Sequence, residues 1–358
     1  MRLIRHHGVR RRFVLTLLGM MALTGIIAIA RLGFEWKQAL DDVDAMIVTP
    51  VVLAPTPEPM LSTSVPADAP VNPLPLLPTV APTMAPENDD PVNILLLGAD
   101  ARVGEEISRT DAIILLHINP RTGRVSMLSF PRDLMVDTPG FGRRKINSVY
   151  LLGETRLGKG YGAALLKQTV SDLVGVPVHH FALINFEGFR RVIDLVGGIS
   201  IDVPKVIDDP RYPVDAFPGD VRTMQVRFEP GTQWMDGERA LIYARTRHAD
   251  SDFGRNQRQQ QVLLALVERV RERGLISQIN KIDDYTSALR DYVRTDVPRS
   301  EMIRLARAAS RMDLDNIQRY AIDSKMIITL GSPDTFAADP KALREVVDRM
   351  IAGGAPTP

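Results

Sequence analysis

From Phe13 to Ala30 the chain runs 18 residues without a formal charge (FVLTLLGMMALTGIIAIA), and no other segment limits its possible folds so strongly. As a helix, such a run spans roughly 27 Å, close to the hydrocarbon thickness of a bilayer. Arg2, Arg5, Arg10, Arg11 and Arg12 precede it, with no acidic residue among them. Cationic flanks stay cytoplasmic, so residues 1–12 read as a cytoplasmic basic segment and 13–30 as one transmembrane helix. Everything after it is then extracytoplasmic, and the protein is single-pass in the cell membrane. A cleaved signal peptide is the competing reading, because Ala28-Ile29-Ala30 has the small-x-small pattern, although the apolar run exceeds the usual ~7 to 15 residues.

Between Pro50 and Pro91 lie 12 of the 26 prolines, mixed with Ala, Thr, Val and Ser, which excludes a sustained helix or sheet ladder. Residues 31–91 therefore read as a juxtamembrane segment and proline-rich spacer, whose polyproline-like part reaches up to ~130 Å if fully extended. Cysteine is absent from all 358 residues. That excludes disulfides, thiolate-bound metals, a cysteine nucleophile and a thioacyl anchor, so any metal must sit on oxygen or imidazole. Lys+Arg 44 against Asp+Glu 43 leaves a net charge of +1, which argues against a surface built to coat nucleic acid.

Residues 92–352 read as one domain, with 353–358 a tail. VNILLLG from Val92, AIILLHI (112–118) and RVSMLSF (124–130) are strand-like, and the last two flank a turn, Asn119-Pro120-Arg121-Thr122-Gly123, that predicts a hairpin. Helical spacing at 163–174 and 187–196 alternates with strand patterns at 178–184 and 199–203. Helices are expected at 236–243, 256–272, 282–293, 299–311 and 340–351, with a strand near 319–330. Such alternation predicts an α/β (α+β) fold, a central mixed sheet flanked by helices.

No G-x-S-x-G, H-E-x-x-H, phosphate-binding loop or G-x-G-x-x-G is present. Arginine and aspartate cluster instead where strands end, which is where open sheets place ligands. Asp100 closes one strand and Asp111 opens the next, so on neighbouring strands the two carboxylates could share Mg²⁺ or Mn²⁺; a helix cap and a surface ion pair are the plainer alternative. Arg245 and Arg247 stand two apart, as do Arg109 and Asp111, and on extended chain such pairs share a face. Paired guanidiniums either line a solvated surface or hold an anion such as a diphosphate. A helix starting just after Gly254 would add its free N–H groups beside Arg255 and Gln259. His117, His179 and His180 read as core or edge residues, His248 sits beside the arginines, and Trp234 belongs to no stacking pattern for nucleic acid.

At these residues the sequence resembles the LytR-CpsA-Psr family of cell-wall glycopolymer ligases. The likeness is carried by NILLLGADAR (93–102), SRTDAIILLHINP (108–120), VSMLSFPRDLMVD (125–137), KINSVY (145–150), VHHFALINFEGF (178–189), LVGGISIDVP (195–204) and ARTRHADSDFGRNQRQQ (244–260). It implies transfer of a glycopolymer from a polyprenyl (undecaprenyl) diphosphate carrier to peptidoglycan, with polyprenyl monophosphate released. It further implies Asp100 and Asp111 as ligands of Mg²⁺, and Arg109, Arg132, Arg245, Arg247 and Arg255 as diphosphate-binding and catalytic residues. Lys145 and Gln259 take supporting positions, and Asp252 is assigned the role of base. Two other readings use the same residues: a lipid diphosphate hydrolase with water as acceptor, and an anchored wall-polymer-binding or regulatory module without chemistry.

Overall fold

Val92–Ala99 is apolar at nearly every position, which suits a strand covered on both faces. In the computed structural model, which describes residues 41–51, 90–99, 108–214, 220–247, 250, 252–273, 287–309 and 316–352, this run is β1. Its packing follows the two-residue period of a strand: Leu95, Leu97 and Ala99 enter the larger apolar core, Val92 and Ile94 a smaller one on the opposite face. β2 (Thr110–Asn119) pairs antiparallel with β1 and returns as β3 (Arg124–Ser129), the hairpin expected from its turn chemistry. Asn119 Oδ1 accepts the Arg121 N–H at 3.1 Å and Gly123 takes a φ of 68°, closing that turn.

A small hairpin follows, β4 (Met135–Thr138) and β5 (Gly142–Lys145), which has no strong apolar alternation to announce it. α1 (Ile146–Leu152) and α2 (Tyr161–Val174) then bury Ile146, Val149, Leu165 and Val170 in the larger core, each worth roughly 2 kcal/mol by area. β6 (His180–Asn185) joins β1 in parallel on the side away from β2.

α3 (Phe186–Leu195) begins on an Asn185 cap whose side chain accepts the Gly188 N–H. Four strands form two antiparallel pairs beyond it: β7 (Ile199–Val203) with β10 (Gly231–Met235), and β8 (Ile207–Pro213) with β9 (Thr223–Phe228). Together with α4 (Gly237–Arg245) and α5 (Asp252–Glu272) they enclose a second core, in which Tyr243 meets Phe228 edge to face with centroids 5.2 Å apart.

β11 (Val293–Thr295), α6 (Arg299–Ala309), β12 (Gln318–Ala321), β13 (Ile327–Leu330), β14 (Ser332–Ala338) and α7 (Pro340–Ala352) complete the chain. The central mixed sheet runs β11-β6-β1-β2-β3-β12, with α1, α2 and α7 on one face and Leu305 of α6 on the other.

Three sequence expectations change. The strand near 319–330 is two strands, because Asp323 accepts the Lys325 N–H and turns the chain through a short 3-10 segment. The helix expected over 282–293 ends instead in β11, which pairs with β6; residues 282–286 lie outside those described. α5 starts at Asp252 rather than after Gly254. Gly254 is there for close approach and not as a helix breaker, since a Cβ on it would collide with the Asp250 carboxylate. Among the described residues no helix is long and apolar enough to cross a membrane; the run 13–30 lies outside them.

Candidate functional site

Because β1 and β2 are antiparallel, the end of one meets the start of the other, with Ala99 opposite Thr110. Gly98 faces Ala112 so closely that an added Cβ would sit 2.9 Å from the alanine's, and the two strand ends make a low floor. Asp111 projects from it into a cavity of about 290 Å³. Ile184 and Asn185 at the end of β6, with Phe186 and Phe189 of α3, form one wall. Arg132, Arg245, Arg247 and Arg255 reach in from four places, opposed in the lining by two aspartates, Asp111 and Asp209. The excess of guanidinium suits an anion.

Arg132 is the hub of the charged wall. Its Nη1 donates to Asp111 Oδ2 at 2.7 Å, and its Nε lies 3.5 Å from Asp133 and 3.7 Å from Asp252. Asp252 is also 3.3 Å from Arg255 Nη2 and 3.7 Å from Arg247 Nε. Asp252, Arg255 and Gln259 follow one another at i, i+3 and i+7 on α5, hence on one face.

Burial raises the Asp252 carboxyl, against the pull of Arg255 and Arg132. Burial likewise lowers Arg255, even with Asp252 beside it. For Arg132 burial pulls downward, but Asp111, Asp252 and Asp133 prevail and raise it. Burial would raise Asp133, yet the Lys145 hydrogen bond and the Arg132 charge outweigh it and lower the carboxyl. Several polar atoms here are buried without a hydrogen-bond partner: Nε of Arg132, Nε and Nη2 of Arg255, Oδ2 of Asp252 and Oε1 of Gln259. Buried groups are normally paired, so such a cluster marks a place completed by something else.

Arg245 and Arg247 do converge on the cavity, but not as i and i+2 of an extended chain. Arg245 ends α4 and Thr246 is its C-cap, so the helix terminus aims them. The Arg245 guanidinium lies 4.2 Å from the Phe186 ring centre and 5.4 Å from that of Tyr212, whose hydroxyl accepts from Nη1 at 3.1 Å. Arg247 is held by its backbone N–H, which donates to the buried Asp209 at 3.1 Å.

Behind both, Arg258 donates from Nε to the Tyr243 carbonyl at 3.1 Å, from Nη2 to the Thr246 carbonyl, and from Nη1 to Asp250 at 2.7 Å. Sequence reasoning missed Asp133, Asp209, Phe186, Tyr212 and Arg258. The one local signal for Arg258 is a cation three residues after Arg255 on an otherwise buried helix face.

Arg109 is exposed at the start of β2 and does not line the cavity. Lys145 touches the site indirectly, donating to Asp133 at 2.9 Å. Asp100 and His248 lie outside the described residues. His117 is a buried core residue hydrogen-bonded to Asn93.

Among the described residues no three acidic or histidine side chains cluster as a metal site. Among the described residues Asp111 and Asp209 supply the carboxylates of the cavity lining, and Asp111 stands beside arginines that could take phosphate oxygens. That donor chemistry fits Mg²⁺, which takes one or two carboxylates and fills its shell with water and phosphate.

A model of the LytR_cpsA_psr family matches residues 64–352. The polyisoprenyl-teichoic acid–peptidoglycan teichoic acid transferase TagU of Oceanobacillus iheyensis is 38% identical over 210 residues, 58% of this chain and 59% of that protein. TagV of Bacillus subtilis, described in the same words, is 32% identical over 260 residues, 70% of this chain and 61% of that protein. The chain thus spans about three fifths of the length of these curated relatives. The crystal structure of B. subtilis TagV has the same mixed α/β fold, with a TM-score of 0.57 and 30% identity over 75% of this chain and 99% of that one.

Proposed function

The chain belongs to the LytR_cpsA_psr family, and from that premise we propose that it is a phosphotransferase moving a glycopolymer from a polyprenyl diphosphate carrier onto peptidoglycan. The observation that carries the reading is Arg255, 3% exposed, with two buried donor atoms lacking hydrogen-bond acceptors in a wall shared with three more arginines. A diphosphate offers those donors charged oxygens at the place where charge grows during transfer. The names of the relatives support the choice of lipid carrier and wall acceptor.

In this reading Arg132, Arg245, Arg247 and Arg255 bind the two phosphates. Arg109 and Lys145 stand outside the cavity wall and act at its approach; Gln259 orients a phosphate or acceptor group from α5. Asp252, raised by burial, is a stronger base than an ordinary carboxylate and takes the proton of the acceptor hydroxyl. The freed oxygen bonds to the glycan-bearing phosphorus as the bridging P–O bond breaks, and polyprenyl monophosphate leaves with that oxygen. Mg²⁺ or Mn²⁺ on Asp111 and Asp100 would neutralise phosphate oxygens. The N-terminal helix would fix the domain to the outer face of the membrane, with residues 1–12 cytoplasmic.

The test is incubation of the chain in detergent with Mg²⁺, a polyprenyl diphosphate oligosaccharide and a soluble peptidoglycan fragment, read by mass spectrometry. Joined product with lipid monophosphate, lost in Asp111→Ala and Arg245→Ala, is expected. Free phosphorylated sugar without joining would move the assignment to a hydrolase. Tight lipid binding without turnover, unchanged by Asp111→Ala, would make the protein a binding module.

A further inference from the structure

Residues 41–51 follow the apolar run after only ten residues, yet they pack as part of the domain. Asp42 and Met46 are buried. Asp42 Oδ1 accepts from Arg290 Nη1 at 3.2 Å, and Asp44 Oδ2 lies 3.4 Å from Arg299 Nη2. Ile47 forms a parallel bridge with Thr295, and the Val48 N–H donates to the Thr295 carbonyl at 2.8 Å. Val48 and Val51 pack against the larger core. This strap covers β11, a three-residue strand at the edge of the central sheet, whose outer backbone groups would otherwise be open to pairing.

The chain is next described at Asp90, where it feeds β1 in the middle of the same sheet. Both ends of the stretch 52–89 are therefore held on one domain. A stretch whose two flanks sit on one domain adds nothing to that domain's distance from the membrane.

We infer that the membrane tether is residues 31–40, and that the docked strap 41–51 holds the cavity close to the bilayer surface, where a lipid-linked diphosphate lies. This rests on the anchor and substrate class proposed above. Ten residues reach at most roughly 35 Å, against roughly 130 Å for a proline-rich stalk. β11 begins at Val293, opposite Ile184 in the cavity wall, so the strap lies on the sheet edge next to the site.

The experiment inserts a protease site between Thr63 and Ser64 of the full chain, with a tag at the N-terminus, and cuts it in isolated membranes. The domain is expected to stay with the membranes after cutting, and in mild detergent to co-elute with the tagged N-terminal piece. Asp42→Lys combined with Val48→Pro, which removes an ion pair and the strand hydrogen bond, is expected to release the domain on cutting while the uncut variant keeps its turnover in detergent, where no bilayer has to be reached. Release of the unsubstituted domain, or its retention in the double variant, overturns the inference. An uncut chain that fails to sediment with membranes refutes the anchor instead, and co-elution of the two pieces still decides the docking.

Discussion

At the scale of one residue, Arg255 shows how a site can stand against stability. Its guanidinium is buried, burial lowers its pKa, and Nε and Nη2 have no hydrogen-bond partner. Truncating one side of a buried ion pair is usually harmful because the other charge is left behind, but Asp252 also has Arg132 and Arg247 within 3.7 Å. Arg255→Met should therefore leave the melting temperature unchanged or raised while reducing glycan transfer about 100-fold or more. Millimolar inorganic pyrophosphate should raise the melting temperature of the wild type and not of the variant, by binding the folded state alone. A variant that melts several degrees lower and transfers normally would make Arg255 a structural residue.

At the scale of the element, the arginines are aimed by a helix end. α4 stops at Arg245, and Arg258 of α5 collects the carbonyls of Tyr243 and Thr246 with the Asp250 carboxylate. Those carbonyls belong to the last turn of α4, which lacks intrahelical partners and needs donors from elsewhere. Arg258→Met should lower unfolding free energy by about 3 kcal/mol, since it leaves the Tyr243 and Thr246 carbonyls without their donor. It should also reduce kcat, because Arg245 and Arg247 lose the support behind them. Arg258→Lys cannot span all three acceptors and should recover stability only in part, as urea titration and steady-state kinetics on the same preparations would show. Equal kcat in all three proteins would separate this contact from the aim of the arginines.

At the scale of the whole molecule, acid stability depends on histidines far from the cavity. His179 accepts the Asn93 N–H through Nδ1 at 2.9 Å, extending the β1–β6 contact, and it must be neutral to do so. Burial, with His180 next to it, drops His179 to about 4 from an ordinary 6.5. A histidine depressed in the folded state contributes fully above its unfolded value and loses that contribution as pH falls through the folded one. Global stability should therefore fall between pH 6.5 and 4, by up to about 3 kcal/mol more in the wild type than in His179→Gln. Parallel pH slopes for the two proteins in denaturant titrations would remove His179 from the account.

Local pattern decided the elements. Short apolar runs at 92–99 and 110–119, the turn at 119–123 and helical spacing at 340–352 needed no partner to be legible, because each is a property of neighbouring residues. Composition decided the absence of thiol chemistry, and motif likeness pointed to the charged residues that line the cavity except Asp209. Tertiary structure alone decided how they are held. Arg245 between Phe186 and Tyr212, Arg247 on Asp209, and Asp42 on Arg290, 248 residues away, are meetings of distant chain segments. No periodicity encodes which segment a side chain will meet, because that choice is made by the packing of whole elements against shared cores.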